Sequence, residues 1–278
     1  MSGFGSRGPY SDYPAYGSTA EALSGIPTLI GYGDHIPIQT GISYADPIAG
    51  LNMVGIVLTY LRHRNVTGEG QFIDLSLADG PVTLIGEYVG LVADGTPMPH
   101  IHGNKHQMFS PYGAYRCRGV DDWVAICVTD QHQWKSLSRI IDNGCLEDRK
   151  FGDFHLRKEN EQELDKVITE WTIDKESETV MFLLQGAGVP AGMVANSQQV
   201  LVDRHLNERN FFVRLSDDRN TFKKHDGQSI NGHIMDKSKW TLNSEVHSDS
   251  KYILCDLLGY TEEEIEEMKN INTGITGS

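Results

Sequence analysis

Residues 48–61, Ile-Ala-Gly-Leu-Asn-Met-Val-Gly-Ile-Val-Leu-Thr-Tyr-Leu, form an apolar run directly behind Tyr44-Ala45-Asp46-Pro47, and this junction constrains the chain more than any other stretch. Proline fixes its own φ and lacks an amide hydrogen, so Pro47 suits the first turn of a helix and Asp46 suits the N-cap before it. The spacing predicts a helix beginning at Pro47. Its only strongly polar residues, Asn52 and Thr59, are seven apart and share one narrow line of a 3.6-residue helix, so the helix is expected to be buried nearly all round. Asp46 would then stand at the mouth of a buried helix, where free amide hydrogens and aligned peptide dipoles face a negative charge. Such an aspartate reads as a cap or as a functional carboxylate, and the local pattern leaves both open.

The flanks indicate layered α/β packing. Thr67-Gly68-Glu69-Gly70 stops the helix, and in residues 71–77 Ile73, Leu75 and Leu77 alternate with Phe72, Asp74 and Ser76, predicting a strand. An apolar segment, 81–92, follows, and a domain edge is expected at 93–105, where Gly, Pro and Asn cluster. Residues 112–117 and 123–128 predict a hairpin. Helices are expected from Asp130 with Gln133 as a capping pair, over about 161–171 behind Asn160, and over about 175–184. Gly186 to Val194 predicts a glycine-rich turn into a short strand, and Asn196-Ser197 opens another helical piece. Residues 213–248 are polar and weakly periodic and read as a long connection; Thr261 to Glu264 is a capping box for a last helix. Three regions follow: 1–100, 101–200 as a small α+β domain, and 201–278 as a returning linker with C-terminal helices.

Composition narrows the function classes. The 278 residues carry 38 Asp plus Glu against 24 Lys plus Arg, a net charge of −14, with no basic stripe, which argues against nucleic acid and anionic membrane as partners. The four cysteines, Cys117, Cys127, Cys145 and Cys255, contain no CxxC pair, which argues against a disulfide scaffold and against zinc of that type. The cytoplasm is the expected compartment, or the mitochondrial matrix in a eukaryote.

Most motif matches fail on context. Gly3-Phe4-Gly5-Ser6-Arg7-Gly8 matches the dinucleotide string but has no strand before it and prolines after it, so it reads as a loop. His102 and His106 have the spacing of a helical metal pair, but Gly103 and Asn104 oppose a helix and no carboxylate lies between, so no metal site is expected. Gly41-Ile-Ser43-Tyr-Ala45 lacks the second glycine of a nucleophile elbow.

Read together, Ser2-Gly-Phe-Gly-Ser-Arg-Gly-Pro-Tyr10, Glu21-Ala-Leu-Ser-Gly25, Tyr44-Ala-Asp-Pro-Ile-Ala-Gly50, Thr67-Gly-Glu-Gly-Gln-Phe-Ile-Asp-Leu-Ser76, Gly103-Asn104 with Ser110-Pro-Tyr-Gly113, Gly188-Val-Pro-Ala-Gly192 and Leu257-Leu-Gly-Tyr260 stand in the order found in class III coenzyme A transferases. The chain resembles that family over nearly its whole length. The resemblance implies an α/β fold, the remainder of a Rossmann-like large domain plus a smaller α+β domain, in an interlocked dimer. It makes Asp46 the catalytic nucleophile that takes coenzyme A from an acyl thioester to a carboxylic acid. It implies substrate contacts at Tyr16, Gly103 and Asn104, and His106 is expected to touch the acyl or acceptor group.

The coenzyme A thioester is then a substrate, with no permanently bound cofactor. The expected partners are acyl-coenzyme A, a carboxylic acid, and a second copy of the chain or a complementing N-terminal segment. Family members begin with a long stretch supplying the first strands and most contacts to the nucleotide end of coenzyme A. This chain starts after it, so it is expected to be a fragment or one part of a split enzyme, weakly active alone. The rival expectations are a racemase of the same superfamily, disfavoured because Pro14-Ala15-Tyr16 stands where that branch carries its histidine base, and an inactive interaction module.

Overall fold

The computed structural model describes residues 1–32, 36–97, 103–142, 144–216, 222–227, 229, 240 and 249–270. The chain divides into two units, residues 1–194 and 195–278. The expected metal-spaced residue His102 lies outside the described residues.

Small side chains decide how the first unit is built. After an N-terminal loop come α1 (Gly17–Leu23), a 3₁₀ turn (Ile26–Thr28) and the long α2 (Ala45–Thr67). Ala20 of α1 packs with Ala45 and Ala49 of α2, together with Leu77 and Ala78, in a small buried cluster. Ala45 and Ala49 lie four apart and therefore on one face of α2. Side chains no larger than a methyl allow two helices to approach closely.

Helix α2 departs from expectation in two ways. It begins two residues early: Tyr44 takes the N-cap position without a side-chain cap bond, and Asp46 and Pro47 fall inside the first turn. The cause lies in Ser43, whose φ of +48° lets its carbonyl accept from the Asp46 amide at 3.0 Å and close the turn ahead of the proline. Pro47 is tolerated there because the first four amides of a helix have no partner within it. Nor is the helix buried all round. Only Ala45 and Ala49 are buried, while Leu51 is 75%, Val54 58% and Leu58 62% exposed. Among the described residues α2 buries only its alanine face; apolar composition says what a helix could bury, not what covers it. Its end follows the sequence: Gly68, at φ +80°, donates to the Arg64 carbonyl at 2.8 Å.

The strand expected over residues 71–77 does not form: among the described residues this stretch makes one parallel bridge only, Ser2 with Ser76, and Leu77 already lies in a turn. The Ser2 amide donates to Leu75 O at 3.1 Å and the Leu77 amide to Ser2 O at 2.9 Å. The ladder goes no further because the chain turns away at Gly5 and Gly8, both at positive φ. Ser6 donates through its amide and hydroxyl to Asp74, and these bonds hold that carboxyl below its usual range. The fingerprint-like string is thus a loop, as its context predicts. The apolar segment that follows divides into α3 (Asp79–Leu84) and α4 (Gly86–Ala93).

The predicted hairpin forms from β1 (Tyr112–Arg116) and β2 (Trp123–Cys127). Helices α5 (Gln131–Ile141), α6 (Phe154–Glu159), α7 (Glu161–Thr172) and α8 (Ser177–Gly186) come next, and β3 (Ala191–Met193) completes an antiparallel β1-β2-β3 sheet. Alternation decides which face is buried: Val124, Ile126 and Val128 point into a core with Trp134, Leu137, Leu164, Ile168, Val180 and Leu184. Asp130 caps α5 by accepting from the Gln133 amide at 2.8 Å. Asn160 takes the expected N-cap position of α7 but without a side-chain cap bond, its side-chain amide donating back to Leu156 O at 2.9 Å. Arg157 is buried in this layer, donating to the carbonyls of Ser110 and Phe151 and lying 4.7 Å over the Trp134 ring.

In the second unit, α9 (Ser197–Val202) has the full Asn196/Gln199 capping box and α10 (Arg204–Glu208) follows. The stretch expected as a plain connection contains an antiparallel ribbon, β4 (Val213–Ser216) with β5 (Phe222–His225). Lys224 anchors it by donating to Leu201 O at 2.7 Å and lying 4.5 Å over the Phe212 ring, a tertiary tie that periodicity cannot reveal. A π-helical turn (Tyr252–Leu257) precedes α11 (Glu262–Asn270), which opens with the predicted Thr261/Glu264 box.

Leu137 is fully buried in the larger core, so Leu137→Ala is expected to destabilise that region by about 2–5 kcal/mol. The check is the midpoint of urea unfolding followed by tryptophan fluorescence, which falls with little change in slope.

Candidate active site

The packing of α1 on α2 brings the start of one helix against the first turn of the other. A methyl group on Gly17, the first residue of α1, would stand 2.7 Å from Cγ of Asp46 and 2.9 Å from Cβ of Ser43. The Asp46 carboxylate is therefore seated against a bare Cα, in space that only glycine leaves free. Tyr16 is the N-cap residue of α1, so the geometry brings two of the expected site residues, Asp46 and Tyr16, to one place in the fold. Both are exposed, Tyr16 to 83%. An accessible carboxylate between the open ends of two helices can meet a substrate from solvent.

The approach to Asp46 is a tight turn. Gly41 and Ser43 both have positive φ, +79° and +48°. For serine this conformation costs roughly 1–2 kcal/mol, and such strain persists where the surroundings hold it. Its neighbours do hold it. Glu21 of α1, only 1% exposed, accepts from the Thr40 amide at 2.7 Å and from the Thr40 hydroxyl at 2.9 Å. The Gln39 side chain donates to Ser18 O at 3.1 Å.

Gly103 and Asn104 stand at a second place. They line a cavity of about 480 Å³ with Tyr32, Lys105, Tyr112, Tyr115, Asp165 and Thr169; Asp46 and Tyr16 are not among its lining residues. Gly103 has φ +62°, and a Cβ there would lie 3.4 Å from Gly31 O, so conformation rather than space calls for glycine. His106 is half-buried beside this cavity. Its Nδ1 accepts from the amides of Met108 at 3.0 Å and Phe109 at 3.3 Å, and its ring packs 5.2 Å from that of Tyr112. With Nδ1 engaged by its own loop, only Nε2 is left to meet a ligand.

The loop is tied to α7 by charge. Lys105 lies 2.9 Å from Asp165 and 3.2 Å from Glu161, Lys158 donates to His106 O at 2.7 Å, and the Tyr115 hydroxyl donates to Asp165 at 2.8 Å. Burial pulls Lys105 down, but the bonds and charges of Asp165 and Glu161 outweigh it and hold the ammonium above its ordinary value. Burial above all, then the charge and hydrogen bond of Asp165, pushes Tyr115 well up.

Gly17, Ser43, the Glu21–Thr40 clamp and the Lys105–Asp165–Tyr115 group were not singled out from the sequence as site residues. Small residues at Gly17 and Ala20, three apart, and at Ala45 and Ala49, four apart, were the available sign of two helices in close contact. No comparable local sign marks the others, because each joins residues far apart in the chain.

The family model for CoA-transferase family III matches residues 1–231. The chain is 28% identical over 273 residues to succinyl-CoA–D-citramalate CoA-transferase of Chloroflexus aurantiacus, covering 95% of this chain and 66% of the relative. It is 31% identical over 203 residues to succinyl-CoA:mesaconate CoA-transferase of Haloarcula marismortui, covering 73% and 50%. The crystal structure of a CAIB/BAIF family protein from Brucella suis superposes with a TM-score of 0.80 at 25% identity, over 92% of this chain and 66% of that one. The chain thus spans between half and about two thirds of the length of these relatives.

Two outcomes follow from the geometry. Gly17→Ala would stabilise an isolated helix by up to ~1 kcal/mol on propensity alone, yet the added methyl meets Ser43 Cβ at 2.9 Å, which no side-chain rotation relieves, and displaces the Asp46 carboxylate, so the melting temperature is expected to fall. A melting temperature that holds or rises refutes the close contact. Raised values for Lys105 and Tyr115 mean that the folded state holds these protons more tightly than the unfolded chain. Their contribution is complete below the unfolded values of about 10 and is lost as pH rises toward the folded ones. Urea midpoints are expected to drop above about pH 10, and Tyr115→Phe to flatten that drop.

Proposed function

We propose, because this chain belongs to CoA-transferase family III, that it carries the nucleophile of an acyl-coenzyme A:carboxylate coenzyme A transferase and that Asp46 is that nucleophile. The observation that carries the reading is the seat of Asp46: an exposed carboxylate in the first turn of α2, held against Gly17 at the open end of α1.

The chemistry balances without any redox change. A carboxylate oxygen of Asp46 attacks the thioester carbonyl of the donor, forming a mixed anhydride and expelling coenzyme A as its thiolate. The thiolate then attacks the aspartyl carbonyl of the anhydride, giving an aspartyl thioester and releasing the donor acid. The acceptor carboxylate attacks that thioester in turn, making a second anhydride and freeing the thiolate again. Attack of the thiolate on the acceptor carbonyl yields the new acyl-coenzyme A and restores Asp46. Amide hydrogens in the first turn of α1 would offer donors to the oxyanions formed on the way, since in α2 the Asp46 and Ile48 amides already donate to Ser43 O and Tyr44 O and Pro47 has none.

Succinyl-coenzyme A is the donor we favour, with a short dicarboxylic acid as acceptor. The support is that both curated relatives described above bear names with succinyl-CoA as donor and a dicarboxylate as acceptor. Tyr16 and the Gly103–Asn104 loop, with His106 Nε2, belong to the substrate side of the reading. A second copy of the chain would cover the apolar face of α2, where Leu51, Val54 and Leu58 are exposed. The relatives named are transferases, which does not favour the racemase branch.

The test is chemical capture. The protein is incubated with succinyl-coenzyme A and quenched with hydroxylamine, and the peptide bearing Asp46 is expected to carry a hydroxamate. Asp46→Asn, nearly isosteric, is expected to fold normally and to lose at least about a thousandfold in transfer rate. Unmodified Asp46 under turnover, or an active Asp46→Asn protein, overturns the reading.

A further inference from the structure

We infer that Glu21 is a positioning residue for Asp46, acting through Thr40 to fix the turn that delivers the carboxylate; this rests on the nucleophile reading of Asp46. Glu21 is 1% exposed, and its two carboxylate oxygens meet the two donors of one residue, the amide and hydroxyl of Thr40, at 2.7 and 2.9 Å. Burying a carboxylate is costly unless it is hydrogen-bonded, and a neutral side chain would fill the same space beside the alanine layer without that cost. What the carboxylate adds is a two-point grip on a loop.

The place of the grip matters. Glu21 lies four residues beyond Gly17, on the same face of α1. That face therefore touches the 40–46 segment at both ends, Thr40 through Glu21 and Asp46 through Gly17. Between them the chain passes through two positive-φ residues, Gly41 and Ser43, before entering α2. A segment of such short length with both ends fixed to one rigid helix has little freedom left, so the setting of Asp46 depends on the grip at Thr40. Releasing Thr40 frees Ser43 to leave its strained conformation, and the first turn of α2 loses the Asp46 amide bond to the Ser43 carbonyl. Small misplacement of a nucleophile lowers the rate of bond formation far more than it lowers binding.

The experiment measures the rate of hydroxylamine-trapped modification at Asp46 after mixing with succinyl-coenzyme A, together with steady-state kcat and KM, for wild type, Glu21→Ala, Thr40→Val, the double variant and Thr40→Ser. Glu21→Ala and Thr40→Val are each expected to slow labelling and kcat by roughly ten- to hundredfold with KM for the thioester unchanged. The double variant should be no slower than either single one, and Thr40→Ser, which keeps both donors, should restore the wild-type rate. Where Glu21→Ala does not fold, Glu21→Gln, with the same shape and one acceptor fewer, carries the comparison. Labelled wild type with equally fast Glu21 variants, or a rise in KM in place of a fall in kcat, overturns this inference and leaves the nucleophile reading standing. Wild type that is not labelled at Asp46 overturns both.

Discussion

The approach of α1 to α2 through Ala20, Ala45 and Ala49 is the contact on which the rest of the candidate site depends. Alanine is the smallest residue that still favours a helix, so it lets two backbones come near without weakening either. Larger side chains at these positions would hold the helices apart and take Gly17 off Asp46. The exposed carboxylate thus owes its place to buried methyl groups one turn away. Gly80 of α3 continues the same logic, since a Cβ there would stand 3.1 Å from Ile48 Cγ2 and 3.9 Å from the Ala49 amide nitrogen.

A different kind of force holds the Gly103–Asn104 loop. Here the sheet and its helices supply a large apolar core, and charge does the fastening at its margin, through Lys105 to Asp165 and Glu161 and through Lys158 to the His106 carbonyl. Pairs this exposed add little stability one by one. Their use is to set geometry, because Asp165 also accepts from Tyr115, a residue of the core sheet, and so links the loop to a rigid strand. Shape positions one part of the candidate site, and a polar network positions the other.

The sequence was legible where structure is local. The β1–β2 hairpin, the Asp130 and Thr261 caps, the stop at Gly68 and the loop nature of residues 3–8 all follow from neighbouring residues. It misled where the outcome depends on distant partners. Asp46 could not be told from an N-cap because the shift into the first turn is caused by Ser43, and serine gives no sign of a positive φ. The apolar pattern of α2 predicted burial that the described residues do not provide, and the β4–β5 ribbon was hidden by polar residues whose tie is Lys224 to Leu201. Asp46 itself stood out from the start by position, while its chemistry came from resemblance in many short pieces, none of which is specific singly.

The manner in which Asp46 is held suits the reaction proposed for it. In that reaction the carboxylate loses its charge and stays neutral through an anhydride, a thioester and a second anhydride before it returns. A nucleophile locked by several strong donors would strand them each time its charge disappeared, and a stranded buried donor costs about 1–3 kcal/mol. Contact with the bare Cα of Gly17 carries no such penalty, because it depends on shape and not on charge. The polar restraint is instead placed one step back, on Thr40 and on the Asp46 amide, neither of which changes its bonding during acyl transfer. A steric seat under the reacting atoms with hydrogen bonds confined to the chain behind them allows the same residue to be charged, acylated and restored without rebuilding its surroundings.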